Sequence, residues 1–339
     1  MLYAGLDYHL RTSSLCILNE DGKVVKQQTV RGRIDDVVGE LAKVGQPLEV
    51  VFEATGGYGP LHERLSKVAR RVVMAHPAGL ALIWRSKRKN DRVDAQKLAK
   101  LLYLDAIPQA HVPGAATRQW RRLVELRRSL VRRRAALKNQ VHALLRSGGI
   151  ASPASAALFS GKGMAWLMEQ ELDEAASLER AVLVEQMRGV KEQVKAVERA
   201  LAKTGNAEPR VTLLMTVPGV GRRTAEAFVA YVDRVERFGR SGQVGSYFGL
   251  VPCEDSSAGK ERLGHITKQG PPAMRQLLVE AAWIGVRRSP TLRRRFEQMC
   301  HGDPDRRKVA IVGLARHLSQ VMAAMLRDGR PWREETPGA

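Results

Sequence analysis

Four acidic residues stand where they could hold hard cations. Asp7 follows a short apolar run over residues 3–6, and Glu53 follows another, Leu48-Glu49-Val50-Val51-Phe52. Asp91 and Asp94 lie three apart in Asn90-Asp91-Arg92-Val93-Asp94-Ala95, so on a helix they share one face. Carboxylates at the ends of adjacent strands, joined by acids from a packing helix, supply the oxygen ligands that hard divalent ions require. Two such ions can activate an attacking oxygen and stabilise a leaving one in phosphodiester chemistry. Each acid alone also has an ordinary reading: an Asp after a strand is a turn residue, and Asp91 could cap its helix. His9, beside Asp7, reads as a polar strand-end residue rather than a ligand.

These acids sit in a basic chain. The 339 residues carry 56 Lys+Arg against 35 Asp+Glu, a net charge of +21. Such a balance points to a polyanion, most often nucleic acid. It is concentrated in residues 118–146, with ten basic residues and one acid, Glu125. Leu123, Leu126, Leu130, Leu137 and Leu144 interleave at helical spacing, which predicts a helix with one buried stripe and a basic face. Arg121, Arg122, Arg128, Arg132 and Arg133 are its candidate phosphate contacts.

The elements that must position these groups follow from periodicity. Residues 1–110 predict the order β-β-β-α-β-α-β-α, with a hairpin turn at Glu20-Asp21-Gly22 and a glycine-rich turn at Thr55-Gly56-Gly57. From about residue 118 the chain reads as helical. Residues 147–163 are rich in small residues and read as a linker. Leu183, Met187, Val190, Val194, Val197 and Leu201 form a short heptad seam, suited to a helical hairpin or a dimer contact. Gly205-Asn206 is expected to break that helix, and residues 327–339 to form a frayed tail. Cys16, Cys253 and Cys300 are too scattered for a disulfide framework or a zinc site, which fits a reducing, cytoplasmic setting. No stretch approaches ~18 uninterrupted apolar residues, so no transmembrane helix is expected, and the first residues lack a secretory pattern.

Two further segments carry chemistry. Val217-Pro218-Gly219-Val220-Gly221-Arg222 has a helix-hairpin-helix signature, in which Gly219, Gly221 and Arg222 would approach a phosphate; a plain turn between helices is the alternative. Residues 247–270 read as a long glycine-punctuated loop holding Ser256, Ser257, Lys260, Arg262, His265 and Lys268. A serine there could attack phosphorus with cationic assistance, although most exposed loop serines are inert. Cys253 and His265 lack a third group to orient them as a thiol–imidazole pair.

Together these residues resemble the DEDD transposases of the insertion-sequence one-ten family. The resemblance is carried by Gly5-Leu6-Asp7, Phe52-Glu53-Ala54-Thr55-Gly56 and Asn90-Asp91-Arg92-Val93-Asp94-Ala95. Pro218-Gly219-Val220-Gly221, Phe248-Gly249-Leu250-Val251-Pro252, Ser256-Ser257-Ala258-Gly259 and Ile266-Thr267-Lys268 extend it through the C-terminal part. It implies an α/β RNase H-like (RuvC-like) domain over 1–147, ending in the basic helix. A linker with coiled-coil helices over 148–206 and a mainly helical transposase domain with a helix-hairpin-helix over 207–339 would follow. It implies Mg²⁺ on Asp7, Glu53, Asp91 and Asp94, and Ser257 as nucleophile with Ser256 adjacent. The family would act as a dimer or dimer of dimers on donor and target DNA, guided by a structured bridge RNA and with no membrane partner. Two other readings remain open: a RuvC-type metal-dependent junction nuclease without a covalent step, and a non-catalytic nucleic-acid binder.

Overall fold

In the N-terminal third, alternating apolar residues build a five-stranded sheet with both faces covered. The computed structural model describes residues 1–83, 90–254 and 262–335, in two units, Met1–Ala115 and Ala116–Ala339. The first unit runs β1 (Leu2–Asp7), β2 (Thr12–Leu18), β3 (Val24–Arg31), α1 (Ile34–Ala42), β4 (Leu48–Glu53), α2 (Tyr58–Leu65), β5 (Arg71–Ala75), α3 (Pro77–Ile83) and α4 (Asp91–Tyr103). The sheet order is β3-β2-β1-β4-β5. β1 pairs antiparallel with β2 and parallel with β4. At the β2–β3 turn the Asn19 side chain accepts hydrogen bonds from the amides of Asp21 and Lys23.

Side chains alternate across a strand, and the burial follows that period. Leu2, Ala4 and Leu6 of β1 and Leu48, Val50 and Phe52 of β4 face α1 and α2. Val51 of β4 faces Leu98, Leu101 and Leu102 of α4, and Cys16 and Leu18 of β2 pack with Ala95 and Ala99 of α4. By parity Asp7, like Gly5, and Glu53, like Val51, belong to the α4 face. Gly5 is what lets α4 lie so close. A Cβ there would stand 2.0 Å from the Ala95 carbonyl oxygen and 2.4 Å from the Ala99 amide nitrogen.

The second unit is helical: α5 (Ala115–Ser147), α6 (Ser155–Leu158), α7 (Gly161–Glu169), α8 (Glu174–Asn206), α9 (Pro209–Leu214), α10 (Arg222–Val232), α11 (Gly242–Tyr247), then strands β6 (Pro252–Glu254) and β7 (Leu263–Ile266), then α12 (Pro272–Arg288), α13 (Pro290–Cys300) and α14 (Arg307–Asp328). The 33-residue helices α5 and α8 form an antiparallel hairpin. Trp120 and Val124 near the start of α5 share a core with Val197 and Leu201 near the end of α8. Leu137, Val141 and Leu144 pack with Leu183, Val190 and Val194 at the other end. The heptad residues are thus buried within one chain.

Several expectations need correction. By packing, residues 116–147 belong to the second compact unit, with buried Trp120 and Val124 in its core. Leu126, expected in the stripe, is exposed, and Trp120, Val124, Val141 and Leu145 are buried instead. The small-residue segment over 147–163 carries α6 and the start of α7, and Leu158, with Leu167 later in α7, is buried against the hairpin. Helix α8 does end at Gly205-Asn206 as expected, and the carboxylate of Glu226 occupies the space a Cβ on Gly205 would need. The described part of the tail, to residue 335, is tied down: the Trp332 amide donates to Thr216 Oγ1, and the Glu334 carboxylate accepts from Ser289 Oγ and the Thr291 amide. Helix α14 and the turn before it are long and apolar enough by composition to cross a membrane. In the fold, α14 buries Ile311, Leu314, Leu318 and Met322 in the C-terminal core.

On that same helix, burial with the Arg295 charge nearby holds the His317 imidazole down at about 4, against an ordinary 6.5. The folded state resists the proton that the unfolded state accepts below 6.5. The stability present above pH 6.5 is therefore lost as pH falls toward 4, by on the order of 3 kcal/mol. Denaturant midpoints at pH 7.5 and pH 5 should show about 2 kcal/mol of this loss in the wild type. His317→Leu should remove most of it, and an unchanged pH dependence in that variant would refute the assignment.

Candidate active site

Register brings two carboxylates side by side. Leu6 pairs with Phe52 in the parallel β1–β4 ladder, so Asp7 and Glu53 lie next to each other at the same strand ends, facing α4. Helix α4 runs antiparallel to β1, since Gly5 meets Ala95 and Ala99 while Tyr3 packs edge-on against Tyr103 farther along. The helix start therefore hangs over the end of β1. Asp91 and Asp94 lie one turn before the buried Ala95 and Leu98. The cap is supplied by Asn90, whose side chain accepts from the Arg92 amide at 3.0 Å, which leaves the Asp91 carboxylate for other work. Gln27 Nε2 on β3 donates to the Arg92 carbonyl and ties the helix start to the sheet.

The result is a tight group. Ligand atoms of Asp7, His9 and Asp91 all lie within 4.8 Å of one another. His9 thus joins a constellation that the sequence reading excluded it from. Its Nε2 lies 3.5 Å from Asp7 Oδ1, and mutual hydrogen bonds between its backbone and Ser13 hold the turn that carries it. The signal was its i+2 spacing from Asp7. Asp94 instead pairs with Lys97 at 3.6 Å. Two carboxylates with an imidazole, and a third carboxylate on the neighbouring strand, are a chemically sensible donor set for a divalent cation.

The serine segment grows from a hairpin rather than from a plain loop. β6 and β7 pair antiparallel, Pro252 opposite Ile266. The residues between them, including Ser256, Ser257 and Lys260, lie outside the described residues. The hairpin base is clamped by backbone contact. A Cβ on Gly249 would stand 2.3 Å from the Gln269 carbonyl oxygen, and one on Gly270 2.0 Å from that of Tyr247. The Lys268 amide donates to the Gly249 carbonyl, and Arg275 donates to those of Phe248 and Gly270. Arg262 and Lys268 are exposed on this hairpin and the turn after it.

Helices α9 and α10 are joined by a turn in which Gly219 has φ 92°. A Cβ there would meet the Ala281 carbonyl of α12 at 2.3 Å, so packing accounts for this glycine. Gly221 is exposed at the start of α10 with open space around it, and Arg222 is paired to Asn206 and Glu226. On α5, Arg121 is spent inside the fold: it donates to the carbonyls of Ala230 and Tyr231. The lone acid Glu125 accepts a hydrogen bond from Tyr231 and pairs with Arg128 at 3.5 Å. Burial and the Glu125 carboxylate raise the Tyr231 phenol well above its usual value. Arg122, Arg132 and Arg133 are exposed.

Comparison with known proteins decides the family. A DEDD transposase model of the IS110 type matches residues 4–149, and one described as Transposase IS116/IS110/IS902 family matches residues 211–297. The chain belongs to the IS110 family of transposases. It is 28% identical over 281 residues to the transposase for insertion sequence element IS1111A of Coxiella burnetii, covering 82% of this chain and 76% of that one. It is 27% identical over 286 residues to the transposase for insertion sequence element IS1328 of Yersinia enterocolitica, covering 83% and 81%. The transposase is therefore an enzyme acting on DNA, and its DEDD domain, matched over residues 4–149, carries an RNase H-like mixed sheet and an acidic cluster consistent with divalent-metal use.

Proposed function

We propose that this transposase cuts and exchanges DNA strands under the direction of a structured RNA, using Mg²⁺ on Asp7, Glu53, Asp91 and Asp94 and a serine nucleophile at Ser257. The convergence of Asp7 and Asp91 at one edge of the sheet carries the reading. The ion would supply charge stabilisation at the reacting phosphate. His9, within reach of Asp7, would orient that carboxylate. The Ser257 hydroxyl would attack phosphorus, forming an Oγ–P bond. The bond to the leaving deoxyribose oxygen breaks, that oxygen takes up a proton, and the serine proton passes to solvent or a nearby base. Reversal of the step with another strand's hydroxyl rejoins the DNA.

The long α5–α8 hairpin would serve as a coiled-coil arm, with Arg122, Arg128, Arg132 and Arg133 along nucleic-acid phosphates. The α9–α10 turn, with Gly221 and Arg222, would act as a helix-hairpin-helix contact, and Lys260, Arg262 and Lys268 would flank the serine. RNA duplex would be held by shape and charge while base pairing supplies sequence. A dimer or dimer of dimers would bring one chain's serine to another chain's acids.

Trapping on labelled DNA tests the chemistry. Wild-type protein is expected to form a covalent adduct and Ser257→Ala none, with Ser256→Ala in parallel. An adduct that persists in Ser257→Ala sinks the assignment. Cleavage without any adduct, even in the wild type, would favour a hydrolytic junction nuclease. Recombination that proceeds equally without the cognate RNA would remove the guided mechanism.

A further inference from the structure

We propose that His9 is itself a ligand of the ion held by Asp7 and Asp91, and that its imidazole makes this one of the two cation positions select a first-row transition ion over Mg²⁺. The inference rests on the metal reading of the acids and adds a ligand and a selectivity to it. Ligand atoms of Asp7, His9 and Asp91 all lie within 4.8 Å of one another. Two donors about 2.1 Å from one ion stand about 3 Å apart when set at right angles. His9 Nε2 and Asp7 Oδ1, at 3.5 Å, already approach that separation.

The chain builds this placement from the sheet. Tyr8 is buried with Leu2, Ala4 and Leu6 in the core that α1 and α2 cover. Side chains alternate along an extended chain, so Asp7 and His9 both turn to the other face, where α4 lies. Buried Ser13 fixes the backbone of His9: its Oγ accepts from the His9 amide and donates to the His9 carbonyl. The Asn90 cap leaves the Asp91 carboxylate available on the opposite side. The His9 side chain is 59% exposed and that of Asp7 16%, so an ion between them keeps open positions for water or a DNA phosphate. Sharing that ion is how His9 holds the Asp7 carboxylate in place.

Selectivity follows from donor type. Mg²⁺ is a hard ion that takes oxygen ligands and keeps several of its waters. An imidazole nitrogen adds little for Mg²⁺, whereas first-row transition ions gain affinity from nitrogen donors. An imidazole set between two carboxylates therefore tilts this position toward a transition ion. Glu53, on the neighbouring strand, and Asp94 offer oxygen alone, which suits Mg²⁺ at the second position.

The test is pulsed electron paramagnetic resonance of Mn²⁺ on the untagged full-length protein, paired with equilibrium titrations of Mn²⁺ and Mg²⁺. Wild-type protein is expected to show nitrogen modulation from a bound imidazole, and His9→Ala to lose it. Mn²⁺ affinity should fall about tenfold or more in His9→Ala, while Mg²⁺ affinity changes by less than about threefold. If His9 only orients Asp7, no nitrogen modulation appears and both affinities fall together; that result overturns the proposal. Modulation that survives His9→Ala overturns it as well, because the imidazole then belongs to another residue. Asp7→Asn checks the reading beneath and should weaken both ions. Wild-type protein that binds neither ion, or Asp7→Asn that binds both as the wild type does, would remove the metal site itself, so the two failures are distinguishable.

Discussion

Asp7→Ala is expected to abolish strand cleavage, by at least about a thousandfold, with the fold intact. Metal-ion catalysis supplies several kcal/mol of transition-state charge stabilisation, and about 4 kcal/mol corresponds to that factor. Asp7 lies at the end of β1, two residues beyond Gly5 on the same face, with its carboxylate only partly exposed and within reach of both His9 and Asp91. Removing it takes away the group that links the strand end to the helix start. His9→Ala, which deletes an orienting partner and leaves the carboxylates, should cost only about 10–100-fold in metal affinity or activity. Cleavage assays across a Mn²⁺ titration separate the two variants: His9→Ala should recover at high metal and Asp7→Ala should not. Cleavage by Asp7→Ala at the wild-type rate would remove Asp7 from the site.

The largest expected effect on stability is at Gly5. Gly5→Ala adds one methyl group, yet that group would lie 2.0 and 2.4 Å from two backbone atoms of α4. Neither can rotate aside, so α4 must shift off the sheet, at a cost of about 3 kcal/mol or more. Because α4 carries Asp91 and Asp94, metal affinity and activity should fall together with the melting temperature. Gly39→Ala on α1 is the control: a Cβ there meets nothing within 4 Å, and helix propensity predicts a neutral or slightly stabilising change. If Gly5→Ala melts with the wild type, the close approach of helix and strand is wrong.

The N-terminal architecture was legible because its signals are local. The apolar runs before Asp7 and Glu53, the turn at Glu20-Asp21-Gly22 and the strand at residues 71–75 each depend on a few neighbouring residues, and the sheet follows the expected element order. The pattern at residues 118–146 correctly announced a helix with a buried stripe holding Leu137 and Leu144, but it put Leu126 in that stripe where Val124 is covered instead. Leu126 and Val124 are both apolar, and only the partner surface decides which one is covered. The packing of the small-residue segment was not legible for a related reason. Small residues lower local propensity, but Leu158 and Leu167 find a hydrophobic partner in the α5–α8 hairpin that no local window contains.

The candidate site shows the same division. The sequence by itself determined the donor types, the i, i+3 spacing of Asp91 and Asp94, and the positions of Asp7 and Glu53 at strand ends. Strand parity, also a sequence property, put both on one face. Only the tertiary structure decided that α4 runs antiparallel across that face with Asn90 as its cap, which brings Asp91 over Asp7 and admits His9. It also decided that Arg121 is structural, while Arg122, Arg132 and Arg133 stay exposed. Charge and periodicity are carried by each residue and its near neighbours. The approach of two elements is set by what the whole interface can bury, and here it depends on the absence of one methyl group at Gly5.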